Sequence, residues 1–136
     1  MTYLYDHWQA IEGQLKNKSL FIFLDFDGTL APIAETPNKA KLPKETRALL
    51  RRISGSPKAK LAFISGRSIS DIKKKVNLKN VIYSGNHGLE IEGPKIKFKP
   101  AVSPGFRNIL KKIRDTLKSK TAPFDGVLIE DKGVSL

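Results

Sequence analysis

The sequence predicts an α/β fold: a doubly wound parallel sheet, extended by a β-hairpin. Three observations predict it. Short apolar runs alternate with helical stretches in the order strand, helix, strand, helix, strand over residues 20–83. The first run, Leu20-Phe21-Ile22-Phe23-Leu24, is apolar throughout, the pattern of a strand buried on both faces. Beyond residue 88 the apolar period falls to two, across Gly93-Pro94, as in a hairpin with one wet face.

Each element has its own signal. Leu4, Trp8, Ile11 and Leu15 fall on one helical stripe and predict a leading helix over 3–15. Lys16 to Ser19 breaks it before the first strand. Residues 28–43 are rich in Pro and Gly and read as irregular. A helix from about Pro43 to Ile53 has Pro in its first turn and Leu49, Leu50 and Ile53 on one side. Leu61-Ala62-Phe63-Ile64 is a second buried strand. Ser68 and Asp71 form a capping signal that opens a helix through about Val76. Val81-Ile82-Tyr83 is a third strand, and right-handed crossovers join the three. Leu89 to Ile91 and Ile96 to Phe98 form the hairpin. After a linker at 99–102, Ser103 caps a helix that Pro104 starts, with Phe106, Ile109, Leu110, Ile113 and Leu117 as its stripe. Val127-Leu128-Ile129 reads as a strand, Asp131-Lys132-Gly133 as a turn, and Val134 to Leu136 as a return strand. Leu136 then falls inside an unfinished strand, and three core strands make a narrow sheet. The expectation is an N-terminal piece of a longer protein.

Composition bounds the chemistry. The chain has 136 residues, room for one ordinary domain or two small ones. Without Cys, it offers no disulfide scaffold, thiolate nucleophile or Cys-ligated zinc site. His7 and His87 alone do not make a multi-His metal centre. No run of about 18 apolar residues crosses a membrane, and Met1 to Trp8 lacks the pattern of a secretory leader, so the cytoplasm is the expected compartment. The formal charge of +12 favours anionic partners. The Lys residues are scattered, however, and only Phe98 sits as an aromatic within a Lys-rich stretch. This reads as solvated faces and a guarded sheet edge, and argues against a nucleic-acid surface.

The residues that carry chemistry follow the first strand. In Phe23-Leu24-Asp25-Phe26-Asp27-Gly28-Thr29-Leu30 a strand delivers Asp25 and Asp27 to its carboxyl end, where open α/β sheets bind ligands. Two carboxylates this close repel unless a cation is near, and a hard divalent metal such as Mg²⁺ takes oxygen ligands. With a phosphate bound there, one Asp can attack phosphorus while the other handles the proton of the leaving oxygen and then of water. The bland alternative is a solvated Asp pair in a turn. Gly28-Thr29 after an apolar strand favours the chemical reading.

This string resembles the first motif of the haloacid dehalogenase-like phosphatases, D-x-D-G-T-[LV], and Ile64-Ser65-Gly66-Arg67-Ser68 resembles the second. Together with Gly85-Asn86-His87-Gly88-Leu89-Glu90 and Ile129-Glu130-Asp131-Lys132-Gly133-Val134-Ser135-Leu136, they resemble the trehalose-6-phosphate phosphatase branch from about residue 20 onward. The resemblance implies a Rossmann-like core over 1–101 and the first part of an α/β cap over 102–136. It implies a Mg²⁺-dependent hydrolase that takes trehalose 6-phosphate to trehalose and phosphate. Asp25 would be nucleophile and metal ligand, and Asp27 general acid/base with its carbonyl on the metal. Ser65 and the Gly66 amide would bind the phosphoryl group. Glu130 and Lys132 would bind the sugar; on their own terms they flank a turn and fit a surface ion pair equally well. His87 reads as a residue that packs its loop.

The family's later Lys and its acidic pair for Mg²⁺ have no counterpart here: Asp71, Asp115, Asp125 and Asp131 fall in helices, turns or cap. The expectation is therefore little or no phosphate release by these residues alone, or a second chain that supplies the missing half. The rivals are another capped sugar-phosphate phosphatase, such as one for sucrose phosphate or mannosyl phosphoglycerate, and a non-catalytic basic binding module.

Overall fold

The computed structural model describes residues 3–136; Met1 and Thr2, part of the segment read for a leader, lie outside the described residues, as does the Leu4 side chain of the expected stripe. A 3₁₀ turn at Leu4–His7 leads into α1 (Trp8–Leu15), which buries none of its residues. The predicted single helix is thus two short pieces. β1 (Leu20–Asp25) follows, then an irregular stretch with a 3₁₀ turn at Pro37–Lys39, α2 (Lys44–Ser54), β2 (Ala59–Ile64), α3 (Ile69–Val76) and β3 (Ile82–Gly85). Past a 3₁₀ turn at Asn86–Gly88 come β4 (Glu90–Gly93), β5 (Ile96–Phe98) and α4 (Pro104–Thr121).

The capping chemistry read from sequence is in place. Ser68 Oγ accepts from the Asp71 amide at 3.3 Å, and Ser103 Oγ from the Phe106 amide at 3.2 Å. Asn77 closes α3 in the left-handed region at φ 51°, and its amide bonds the Lys73 carbonyl.

All five strands form one sheet in the order β1-β2-β3-β4-β5. β1, β2 and β3 are parallel; β4 runs antiparallel to β3, and β5 to β4. The hairpin therefore widens the sheet that sequence reading limited to three strands. The core lies against one face. Leu50 of α2, Ile72 and Val76 of α3, and Leu61, Phe63 and Tyr83 of the strands share it with Phe26 and Leu42. The Tyr83 ring stacks on Phe63 at 5.5 Å, and its hydroxyl bonds both the amide and the carbonyl of Leu78.

Two expectations are corrected here. The sheet is not doubly wound within these residues: α2 and α3 join one core. Strands laid down successively in one direction, with crossovers of fixed hand, place their helices on the same side; double winding needs a reversal of order. Nor is β1 buried on both faces. Ile22 and Leu24 face the core, while Phe21 and Phe23 are 49% and 59% exposed and pack against each other at 4.4 Å. Among the described residues β1 is also an edge strand, paired only with β2.

A third correction concerns the end of the chain. Residues 127–136 form no strand, and the Lys132 amide bonds the Ser135 carbonyl across a bend at Gly133 and Val134. No strand among the described residues pairs with them, and an isolated two-stranded ribbon is marginal in water. Leu49 likewise points outward from α2, and of the α4 stripe Phe106, Ile109, Ile113 and Leu117 are exposed while Leu110 is half-buried.

Candidate functional site

The end of β1 builds the first half of the site. Asp25 closes the strand, Phe26 is fully buried, and Asp27 is exposed again. Alternation thus puts both carboxylates on the outer side and uses the Phe26 ring as the anchor between them. The chain then turns sharply. The Leu30 and Ala31 amides bond the Phe26 carbonyl, and the Gly28 amide bonds the Ala31 carbonyl at 2.8 Å. Gly28 sits at φ 80°, a conformation that costs glycine little. Thr29 Oγ1 donates to Asp25 Oδ2 at 3.2 Å, which orients that carboxylate from within the loop.

The end of β2 builds the second half. Asp25 lies opposite Ile64 in the parallel register, so Ser65 is the next residue on the neighbouring strand, about 5 Å away across the sheet. Ser65 is buried: its amide bonds the Ser84 carbonyl, its own carbonyl accepts from the His87 amide, and its Oγ accepts from the Arg67 amide at 3.1 Å. Gly66 packs under the His87 ring, where a Cβ would lie 2.5 Å from Cε1. His87 thus covers the second loop, the packing role expected for it.

Sequence reading quoted Arg67 inside a motif and gave it no role. The structure makes it the hub of the site. It is 8% exposed and lies over the Phe26 ring at 5.4 Å. Its Nη2 and Nε donate to the two oxygens of Asp27 at 2.6 and 2.8 Å, and Nη1 donates to Asp71 Oδ2 at 2.7 Å. The Asp27 hydrogen bond raises the Arg67 pKa above its ordinary value; burial opposes this, and Asp71 adds to it. The available signal was the spacing: Arg67 and Asp71 stand four apart at a helix start, where Asp71 was read only as part of a cap.

A second missed cluster lies behind the Gly66 loop. Asn86 is buried at φ 50°, and its Nδ2 donates to Glu90 Oε2 at 2.6 Å. Glu90 is buried as well and meets Lys99 Nζ at 3.2 Å. The Asn86 amide bonds the Arg67 carbonyl at 2.7 Å, so this cluster holds the β2 loop from behind.

The segment after α4 returns to this corner. Lys132 Nζ donates to the Gly66 carbonyl at 2.8 Å and lies 3.5 Å from Glu130, so the pair is both an ion pair and a contact with the site. Ser135 Oγ approaches Asn86 Oδ1 at 3.4 Å. Arg114 of α4 donates to Asp131 at 2.8 Å. The Gly133 amide, and after it Arg114, hold the Asp131 carboxyl below its usual range. Asn38, Arg67, Asp71, Glu130 and Lys132 line a cleft of about 290 Å³ there. A groove of about 800 Å³ runs beside α2 and α3 and does not include Asp25.

The oxygen donors available to a metal are few. Asp25 offers a carboxylate, but both oxygens of Asp27 are engaged by Arg67. No group of three or more acidic or His side chains converges among the described residues. Mg²⁺ demands near-octahedral oxygen ligation, and these residues do not make such a shell by themselves. No helix among the described residues is long and apolar enough to cross a membrane.

Known proteins resemble this chain over most of its length. The trehalose-phosphatase family model matches residues 23–136. Trehalose-phosphate phosphatase B of Arabidopsis thaliana is 32% identical over 135 residues, covering 91% of this chain and 35% of the relative. The trehalose-phosphate phosphatase of Mycobacterium tuberculosis is 31% identical over 112 residues, 82% of this chain and 28% of the relative. Among solved structures, the C-terminal domain of Candida albicans trehalose-6-phosphate phosphatase superposes with a TM-score of 0.74 at 29% identity, over 92% of this chain and 44% of that one. A haloacid dehalogenase-like hydrolase of B. subtilis shares the fold, with a TM-score of 0.51 at 20% identity. The chain thus spans about a third of the first curated relative's length and under half of the Candida structure's.

Proposed function

This chain belongs to the trehalose-phosphatase family, and from that premise we propose that it carries the nucleophilic half of a phosphomonoester hydrolase acting on trehalose 6-phosphate. One observation supports this above the rest: the Asp25 carboxylate and the Ser65-Gly66 turn end adjacent parallel strands, side by side at one rim of the sheet.

In the proposed reaction an Asp25 oxygen attacks phosphorus. The P–O bond to the sugar breaks, and Asp27 supplies the proton that makes the leaving oxygen a hydroxyl. Water then attacks the aspartyl phosphate with Asp27 taking its proton, which frees Asp25 and inorganic phosphate. Ser65 and the Gly66 amide are proposed to hold the phosphoryl oxygens through these steps. Both oxygens of Asp27 accept from Arg67 in this structure, so one of those bonds must open before Asp27 delivers a proton. Mg²⁺ is the proposed metal, which would neutralise phosphate charge. Asp25 and the Asp27 carbonyl are its proposed partners here, and the rest of its shell must come from outside these residues.

Residues 1–101 are proposed as core and 102–136 as the start of a cap, whose Glu130 and Lys132 contact the sugar. The cytoplasm is the proposed compartment. A second polypeptide completing the site is favoured by one feature, the unpaired outer edge of β1 beside exposed Phe21 and Phe23. The test is phosphate release from trehalose 6-phosphate, compared with sucrose phosphate. The 136 residues alone are expected to release little, and the natural polypeptide that carries them to prefer trehalose 6-phosphate. Preference for sucrose phosphate would overturn the substrate assignment.

A further inference from the structure

The groove beside α2 and α3 is unused by the proposed reaction, and its walls are basic. Lys41, Lys44, Arg47 and Arg51 line it from α2 and the approach to it, and Lys74 and Lys75 from α3. Lys44, Arg47 and Arg51 share a helical face by spacing. The one acid in the wall, Asp71, is already paired with Arg67. Among the described residues, none of the six cations forms an ion pair. The charges that sequence reading took as scattered and solvated are thus gathered by the fold.

Two of the six brace the groove. Lys75 Nζ donates to the carbonyls of Asn38 and Ala40 at 3.2 and 3.0 Å, and Arg47 Nη2 donates to the Lys75 carbonyl at 3.0 Å. Lys41, Lys44, Arg51 and Lys74 are exposed above a floor that includes Leu42 and Pro43. Lys44 also opens α2, where the helix's partial positive charge disfavours a cation. Like charges held together without counter-charges raise the local potential, and a bound anion relieves it.

We propose that the groove between α2 and α3 binds a soluble oligophosphate, a ligand carrying several linked phosphates that Lys44, Arg51 and Lys74 contact together. A groove of about 800 Å³ has room for a chain of phosphates, which can meet more of its cations than a single phosphate can. The site is separate from Asp25 and stands whether or not the phosphatase reading holds.

The probe is inorganic tripolyphosphate, titrated calorimetrically into the 136-residue chain at low and moderate salt. Saturable binding that weakens as salt rises is expected. Lys44→Glu with Arg51→Glu should weaken it by about tenfold or more, since both contacts reverse sign. Lys97→Glu with Lys118→Glu changes net charge equally and should leave binding within about twofold. Ser65→Ala with Lys132→Ala should also leave it intact. Circular dichroism checks folding, and Lys74→Gln gives a milder second variant that should also weaken binding. No binding at millimolar tripolyphosphate, equal loss in both charge-reversal pairs, or loss only with Ser65 and Lys132 would overturn the proposal. Binding of single-stranded RNA that tripolyphosphate fails to displace would overturn it too.

Discussion

The β2–β3 half of the molecule and the arm that follows β5 meet at the same corner but are held by different physics. Phe26, Phe63, Ser65 and Arg67 are buried, and the loops at the strand tips are tied by backbone bonds into the core. α4 buries none of its residues, and the arm touches the β2 loop through Lys132 and the turn after β3 through Ser135. The difference teaches that the proposed phosphoryl end of the site is fixed by the fold, whereas the proposed sugar end rests on a few polar contacts. A region held by few buried apolar contacts opens locally at low cost.

The comparison breaks first at its apolar centre. Phe63→Ala removes a fully buried ring under the site and should cost about 3–5 kcal/mol, enough to unfold a small domain, as read by urea denaturation. Arg67→Ala comes next. It strands two half-exposed carboxylates and should cost about 2 kcal/mol, less than a fully buried pair because water still reaches both acids. Arg67→Lys should recover only part of this, since an ammonium cannot serve both Asp27 oxygens in one plane.

The arm should behave oppositely. Lys132→Ala should change global stability by less than about 0.5 kcal/mol. Amide exchange over 127–136 should nevertheless speed up, because the contact with the Gly66 carbonyl is lost. An equal rise in exchange across β2 would erase the distinction between the two regions.

The smallest effect tests the hairpin edge. Lys73 Nζ donates to Glu92 at 2.5 Å and holds the Glu92 carboxyl below its ordinary range, against the opposing pull of burial. A depressed carboxyl stabilises the fold above its unfolded value of about 4.3, and that contribution is lost as pH falls through the folded value. Both side chains are some 40% exposed, so Glu92→Gln should cost no more than about 0.5 kcal/mol at pH 7. It should cost nothing once the pH has fallen below the folded value and the wild-type acid is protonated. Thermal melts at the two pH values check this.

The same two regions differ in how far the sequence reveals them. Asp25, Asp27, Ser65 and Gly66 were legible because each sits at a strand end marked by an apolar run and a turn residue. Ser68 and Ser103 were legible because capping is local. Long-range packing was not. Nothing local says that Arg67 reaches forty residues back to Asp27, that Asn86 holds the loop from behind, or that Lys132 returns to the Gly66 carbonyl. The apolar run of β1 was misread as doubly buried because periodicity reports what a strand can bury, and the described neighbours cover only one face. The run at 127–129 carries the apolar pattern of a strand with no partner beside it.

The account turns on Asp25 as the group that attacks phosphorus. The direct test is single-turnover phosphate release from trehalose 6-phosphate by the natural polypeptide carrying these residues, with and without Asp25→Asn. The substitution keeps size and leaves the loop hydrogen bond to Thr29 available, so the fold should hold. The account predicts a loss of about a thousandfold or more, with no hydroxylamine-labile phosphoenzyme trapped by acid quench. Release within about tenfold of wild type, from a folded Asp25→Asn protein, would contradict it.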